Sequence, residues 1–198
     1  MMKNILSIDG WYFRVFSKLA NLMLLNMLFI VSIIPVVTIG ISTMALINSL
    51  QDLREDGSLY AFKVYSKHFK NNLKKGMNLL LMQVGCLMVP AFLIYMSLKY
   101  IPLLSTLIMI LFSFLLLLLT IFPFVYSLNN YSIKEAMYQT LAVVTLRIAY
   151  CIAIFVIPVV IVYVSLKYSV IFLFLIGIAL IMYMQLNLVN KAGVIRES

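Results

Sequence analysis

Few side chains in this chain are capable of chemistry, and their spacing restricts them further. The one histidine, His68, stands between Lys67 and Phe69 in a basic stretch. An imidazole works as an acid, base or ligand only with a partner in reach, and none stands at a motif spacing from it. Asp52, Glu55 and Asp56 cluster just before Ser58, but a serine nucleophile needs a base and none is near. Cys86 and Cys151 each sit alone inside an apolar run. Without CxxC or Cys/His spacing they make neither a metal site nor a disulfide framework, and they read as small packing residues. No GxSxG, HExxH, Walker-loop or paired-carboxylate pattern occurs. The expectation is a chain with no catalytic residue, no metal and no cofactor, hence not an enzyme.

The remaining polar candidates lie within apolar sequence. They are Asn21, Asn26, Thr38, Ser42, Thr43 and Asn48, then Gln83, Thr120, Gln185 and Asn187. Asn26 precedes Thr38 by about as much as Asn48 follows it. If the chain folds back between them, the two asparagines stand at similar depth and are expected to bond to each other. Such bonds glue membrane helices together at about 1 kcal/mol or less apiece; the second reading is a site for a neutral polar solute. Residues 76–98, 100–133, 148–166 and 168–190 contain no Asp, Glu, Lys, Arg or His. Ionisable groups at membrane depth mark proton and ion paths, so their absence argues against a proton-coupled pump.

The elements that must position these residues follow from composition. The chain of 198 residues is 65% hydrophobic and 11% charged, with mean hydropathy +1.11 and net charge +9. A membrane crossing takes about 20 apolar residues, or about 30 Å, and most of the uncharged runs reach that length. There is too little polar sequence to coat a soluble core of this kind. The fold class expected is all-α, a polytopic membrane helix bundle of six helices in three hairpins, or five helices if the first hairpin is one kinked helix. The positive charge lies between the apolar runs, where it orients the chain and meets anionic lipid headgroups. No recognition motif points to nucleic acid. The basic N-terminal segment leads into an apolar run longer than a signal-peptide core and reads as a retained helix.

Taken in order within a single membrane domain, 1–198, the first unit is a Pro/Gly-broken hairpin over 11–53. Asp9 is placed to cap a helix from Trp11. Trp11, Tyr12 and Phe13 suit a membrane interface, and Arg14 and Lys18 can extend back to water. Pro35 ends that helix near Ile34. Thr38 or Ser42 is expected to cap a second, short helix from Ile39 to Leu53, with Gly40 in the turn. A basic amphipathic helix over 59–75 follows. It sets Phe62, Tyr65, Phe69 and Leu73 on one face and Lys63, Lys67, Lys70 and Lys74 on the next, which suits the headgroup layer. The cluster of acids before it is expected to offset part of the lysine charge. With the first hairpin crossing twice, only Lys99 and Lys167 of the 15 Lys and Arg lie outside, and both termini are cytoplasmic.

A duplication organises the rest. Pro90, Tyr95 and Ser97-Leu98-Lys99-Tyr100 recur in register as Pro158, Tyr163 and Ser165-Leu166-Lys167-Tyr168. Each copy is a hairpin with a tight turn, at 76–128 and 148–190, preceded by an amphipathic helix. Before the second copy that helix spans 132–147. Ser132 and Glu135 there have capping-box spacing, and Ile133, Met137, Thr140, Leu141 and Val144 line one face.

The Asn-bearing first helix, then Pro35-Val-Val-Thr38-Ile-Gly40-Ile-Ser-Thr43-Met-Ala45-Leu, an acidic turn, and Phe62 through Phe69-Lys70-Asn-Asn72 resemble the YesL family of bacterial membrane proteins. The resemblance covers about residues 10–80, and Ile41 replaces the Pro that members often carry after that Gly. It implies a multi-pass protein of the bacterial plasma membrane, with an accessory role in carbohydrate uptake or its regulation, and it carries over no catalytic or binding residue. The function expected is a non-enzymatic accessory or scaffold protein. Asn26, Pro35, Thr38, Gly40 and Asn48 are its candidate structural or contact residues, and Lys63, Lys67, Lys70 and Lys74 touch lipid headgroups. The partners are membrane lipids and a carbohydrate ABC transporter or another membrane complex, with a homo-oligomer also compatible. The alternative function is a small transporter or channel for a neutral solute.

Overall fold

The computed structural model describes residues 11–57, 60–100 and 102–193. Lys3, Asp9, Ser58 and Arg196 lie outside them, as do the side chains of Trp11, Phe13, Arg14 and Lys99. The described residues form an all-α bundle. Helix α1 spans Trp11–Ser32. A 3-10 turn, Val36–Thr38, leads into α2, Ile39–Asp56. Then come α3 (Ala61–Asn71), α4 (Leu73–Tyr100), α5 (Pro102–Leu128), α6 (Ile133–Leu146) and α7 (Ile148–Tyr168). The last helix, α8, spans Val170–Lys191 and contains a π-helical turn at Leu173–Gly177. Six of these helices are long and apolar enough to cross a membrane: α1, α2, α4, α5, α7 and α8. The chain is a multi-pass membrane protein by that measure.

Local chemistry explains most of the boundaries. Pro35 cannot donate an N–H and disfavours helix before it, so α1 stops at Ser32, two residues earlier than the expected Ile34. Gly57 adopts φ 74°, the left-handed conformation that glycine takes without penalty, and its N–H bonds Leu53 O to close α2. That places the end of α2 at Asp56 rather than Leu53. At α6, the Ser132 side chain accepts from Glu135 N while Glu135 returns a bond to Ser132 N, a reciprocal capping box. The same bonds hold the Glu135 carboxyl below its ordinary value.

Gly40 does not sit in the turn. It lies in the first turn of α2, packed against Gly76 of α4. A Cβ on Gly40 would run into Gly76 O and stand 2.9 Å from Leu80 N, and one on Gly76 would stand 2.5 Å from Ile41 Cα. Backbone meets backbone here because neither helix carries a side chain at the contact. Around it α2 is the hub. Met44, Ala45, Leu46, Ile47, Leu50 and Leu53 are fully buried, and α1, α3, α4, α5 and α8 all pack on α2.

The two amphipathic helices are less regular than their sequences imply. In α3, Tyr65 is buried and Phe69 packs on the core, but Phe62 points outward. The helix breaks at Asn72, so Leu73 opens α4 and is exposed too. In α6, Ala136, Thr140 and Val144 are buried, whereas Met137 and Leu141 are exposed. The matched segments do occupy matching places: Tyr95 and Tyr163 are exposed, while Ser97 and Ser165 are buried and donate to Ile94 O and Ile161 O.

The glycine contact leads to a measurable expectation. Gly40→Leu or Gly76→Leu should each destabilise the detergent-solubilised protein by about 3 kcal/mol, the upper range for overpacking a close contact. Gly85→Leu, at a site where an added Cβ meets nothing within 4 Å, should leave thermal unfolding unchanged.

Candidate functional site

Asn26, Thr38, Ser42 and Gln185 bond to backbone at a break in a helix and Asn48 to a neighbouring side chain, while Asn21, Thr43 and Thr120 bond the carbonyl one turn back in their own helix. A break inside an apolar helix leaves backbone N–H and C=O groups without their usual partners, and in lipid no water replaces them. Asn26 addresses the π turn of α8. Its Nδ2 donates to Phe174 O at 2.5 Å and to Leu173 O at 3.5 Å, and its Oδ1 accepts from Ala179 N at 2.9 Å. One fully buried carboxamide thus clasps both sides of the irregular turn. Asn26 and Asn48 are not bonded to each other, contrary to expectation. Asn48 Oδ1 accepts from Ser127 of α5 at 2.9 Å. The two arms of the first hairpin therefore send their amides to different neighbours.

Thr38 and Ser42 do not cap α2 with their side chains. They turn back to the end of α1. Thr38 Oγ1 donates to Ser32 O at 2.5 Å and to Pro35 O at 2.6 Å, and Ser42 Oγ donates to Ser32 O at 3.2 Å. Ser32 O, the last carbonyl of α1, is thereby occupied. Ser32 Oγ donates to Phe29 O and meets Tyr65 OH of α3 at 2.5 Å. Burial pushes the Tyr65 phenol above its ordinary value, partly offset by its bonds to Ser32 and Ser42.

A similar repair occurs in the last hairpin. Pro158 lies inside α7 and has no N–H to give to Ile154 O one turn earlier. Gln185 Nε2 of α8 donates to that carbonyl at 3.0 Å. Sequence reading singled out both residues without joining them. The signal was present, because Ile154 and Gln185 stand about equally far from the turn at Ser169, and an antiparallel hairpin pairs such positions.

The titratable groups form a separate arrangement. His68 Nε2 lies 2.8 Å from Asp52 Oδ2, tying α3 to α2. Asp52 is thus held by the histidine and not by a lysine. Among the described residues no three His, Cys, Asp or Glu come together as a metal site would need. Lys63, Lys67, Lys70 and Lys74 are exposed. Lys18 stands over the ring of Tyr183, 5.3 Å from its centre. Cavities of about 60 and 420 Å³ are lined almost wholly by apolar side chains, whereas Gln83 and Thr120 are two of the six residues lining one of about 270 Å³; none of the three includes Asn26, Thr38 or Asn48.

Two expectations follow. Gln185→Leu should cost about 1–3 kcal/mol by stranding Ile154 O. Adding Pro158→Ala, which restores the missing N–H, should recover most of it, so the pair will be strongly non-additive in thermal unfolding. For Tyr65, a folded-state value raised above 10.0 means its contribution is intact below about pH 10 and falls as pH rises toward the folded value. Tyr65→Phe should lower stability at neutral pH by about 1 kcal/mol and flatten the alkaline decline, read by denaturation at stepped pH.

Comparison with known proteins bears on the same region. The family model described as "Protein of unknown function, DUF624" matches residues 22–95, from the middle of α1 to near the end of α4. No curated protein and no solved structure matches the chain. What the chain shares with that family is the segment that holds the first hairpin, α3 and the Gly40–Gly76 contact.

Proposed function

We propose that this chain is a non-enzymatic integral membrane protein that acts as an accessory or scaffold component of another membrane complex. The observation that carries the reading is the use made of its polar side chains. Asn26, Thr38, Ser42 and Gln185 bond to backbone groups at helix breaks, and Asn48 is bonded to Ser127. A site that binds a polar substrate needs polar groups aimed into a cavity, whereas these are aimed into the protein. The exposed Lys63, Lys67, Lys70 and Lys74 supply a basic face suited to anionic headgroups or to an acidic partner surface at the cytoplasmic side.

The YesL resemblance and the DUF624 match fall on the same stretch, and YesL is itself a DUF624 member. The resemblance implies a bacterial plasma-membrane setting and an association with carbohydrate uptake or its regulation, which makes a carbohydrate ABC transporter the partner to seek. Affinity purification from native membranes in several mild detergents tests the proposal. A stoichiometric membrane complex containing transporter subunits is the expected result. Recovery of this chain without a partner in every detergent, or sugar flux through liposomes holding it alone, would overturn it.

A further inference from the structure

Helices α7 and α8 stand apart over the cavity of about 420 Å³, whose walls include Val156, Val160 and Val164 on one side and Phe172, Leu180 and Met184 on the other. Val156, Val160, Val164, Phe172 and Met184 are exposed, so the cavity is an open groove. All its lining residues come from these two helices. Each helix carries its irregularity beside the groove, Pro158 within α7 and the π turn Leu173–Gly177 within α8. A proline and a π turn both disturb the regular course of a helix.

The lining excludes a polar occupant. Its one hydroxyl, on Ser165, is buried and donates to Ile161 O at 2.7 Å. No group is left to orient a polar solute, which a solute site requires. The depth of the groove is informative too. From Val156 to Ser165 is about 14 Å of helix at about 1.5 Å per residue. One leaflet fills about half of a hydrocarbon core of about 30 Å. The groove therefore runs from the α7–α8 turn inward for about the length of one leaflet's acyl chains.

A positive charge stands at its outer end. Lys167 lies one turn beyond Val164, and at 3.6 residues per turn Val156, Val160, Val164 and Lys167 fall within about 80° of one another around α7. Lys167 is exposed, with Nζ 5.7 Å from the centre of the Tyr168 ring. A ring face attracts the ammonium but supplies no counter-charge. The sequence has no Asp or Glu between Glu135 and Glu197. Among the described residues the one ion pair is His68 with Asp52. An apolar groove one leaflet deep, ending on an uncompensated cation, has the layout of an anionic phospholipid.

We propose that the α7–α8 groove is a binding site for an anionic phospholipid, with an acyl chain along Val156, Val160 and Val164 and its phosphate on Lys167. Charge decides against a second copy of the chain as the occupant. Two copies joined here about a two-fold axis would bring both Lys167 side chains to the same level with nothing between them. A purely apolar helix in the groove would leave the ammonium unpaired.

The test uses the full chain with Cys86→Ala, Cys151→Ala and Val159→Cys, an exposed position beside the groove and outside its lining. A bimane on that cysteine reports nearby lipid after reconstitution in phosphatidylcholine vesicles. Phosphatidylglycerol or phosphatidylcholine carrying a mid-chain nitroxide is added at equal mole fraction. Labelled phosphatidylglycerol should quench several-fold more than labelled phosphatidylcholine. Lys167→Gln should bring the two lipids level, and Lys167→Arg should keep the preference. Lys99→Gln, which removes the matching charge from the other repeat, should also keep it. Val160→Trp, which fills the groove and spares the lysine, should abolish it. Equal quenching by the two lipids in the chain with Lys167 intact would overturn the proposal. So would a preference that survives Lys167→Gln or Val160→Trp, or one that Lys99→Gln lowers as much as Lys167→Gln does.

Discussion

A helix that is interrupted inside an apolar phase must still satisfy its backbone, and this constraint organises the molecule. Pro35 ends α1, Pro158 interrupts α7, and a π turn disturbs α8. Each irregularity leaves peptide groups that water cannot reach, and each draws a side chain from another place in the fold: Thr38 and Ser42 at the first, Gln185 at the second, Asn26 at the third. Two of these bonds join distant parts of the chain. Asn26 fastens the first helix to the last one, and Gln185 locks the two arms of the last hairpin in register. The breaks are thus where helices are tied together, and Asn26, Thr38, Ser42 and Gln185 do the tying.

Around these ties α2 acts as the hub because it offers both a bare surface and a dense one. Gly40 lets the α4 backbone approach, and the fully buried Met44, Leu46, Leu50 and Leu53 fill the space between its other neighbours. Close backbone approach fixes the relative position of two helices more narrowly than interlocking side chains do, since side chains change rotamer and backbone does not. The position of the first hairpin relative to the second therefore depends on two hydrogen atoms standing where Cβ atoms would otherwise be.

Helix α3 connects this interior to the surface. Its lysines are exposed, while Tyr65 and His68 reach inward to Ser32 and Asp52. A protein surface or headgroup layer that engages Lys63, Lys67 and Lys70 would bear on the hairpin through those two bonds. The match to an uncharacterised family covers this linked segment, α1 through α4, and leaves the second copy of the repeat outside it.

How much of this was legible in the sequence depends on whether the governing physics is local. Composition and run length alone determined an all-helical membrane protein, since apolar segments of that length satisfy their backbone only as helices. Proline chemistry marked the end of α1 within two residues, and the Ser132–Glu135 spacing marked the start of α6. The paired motifs around Pro90 and Pro158 placed Tyr95 with Tyr163 and Ser97 with Ser165. Only the tertiary structure decided which neighbour each polar group would find. Asn26 and Asn48 stand at matching distances from Thr38, yet one bonds a π turn and the other a serine, because no local rule foretells a π turn or the register of a distant helix. Gly40 belonged to a turn by its intrinsic preference and to a helix contact by its surroundings. Its partner Gly76 lies beyond α3, and a contact across that separation is set by how the intervening helix folds back, which the chain's local propensities do not specify.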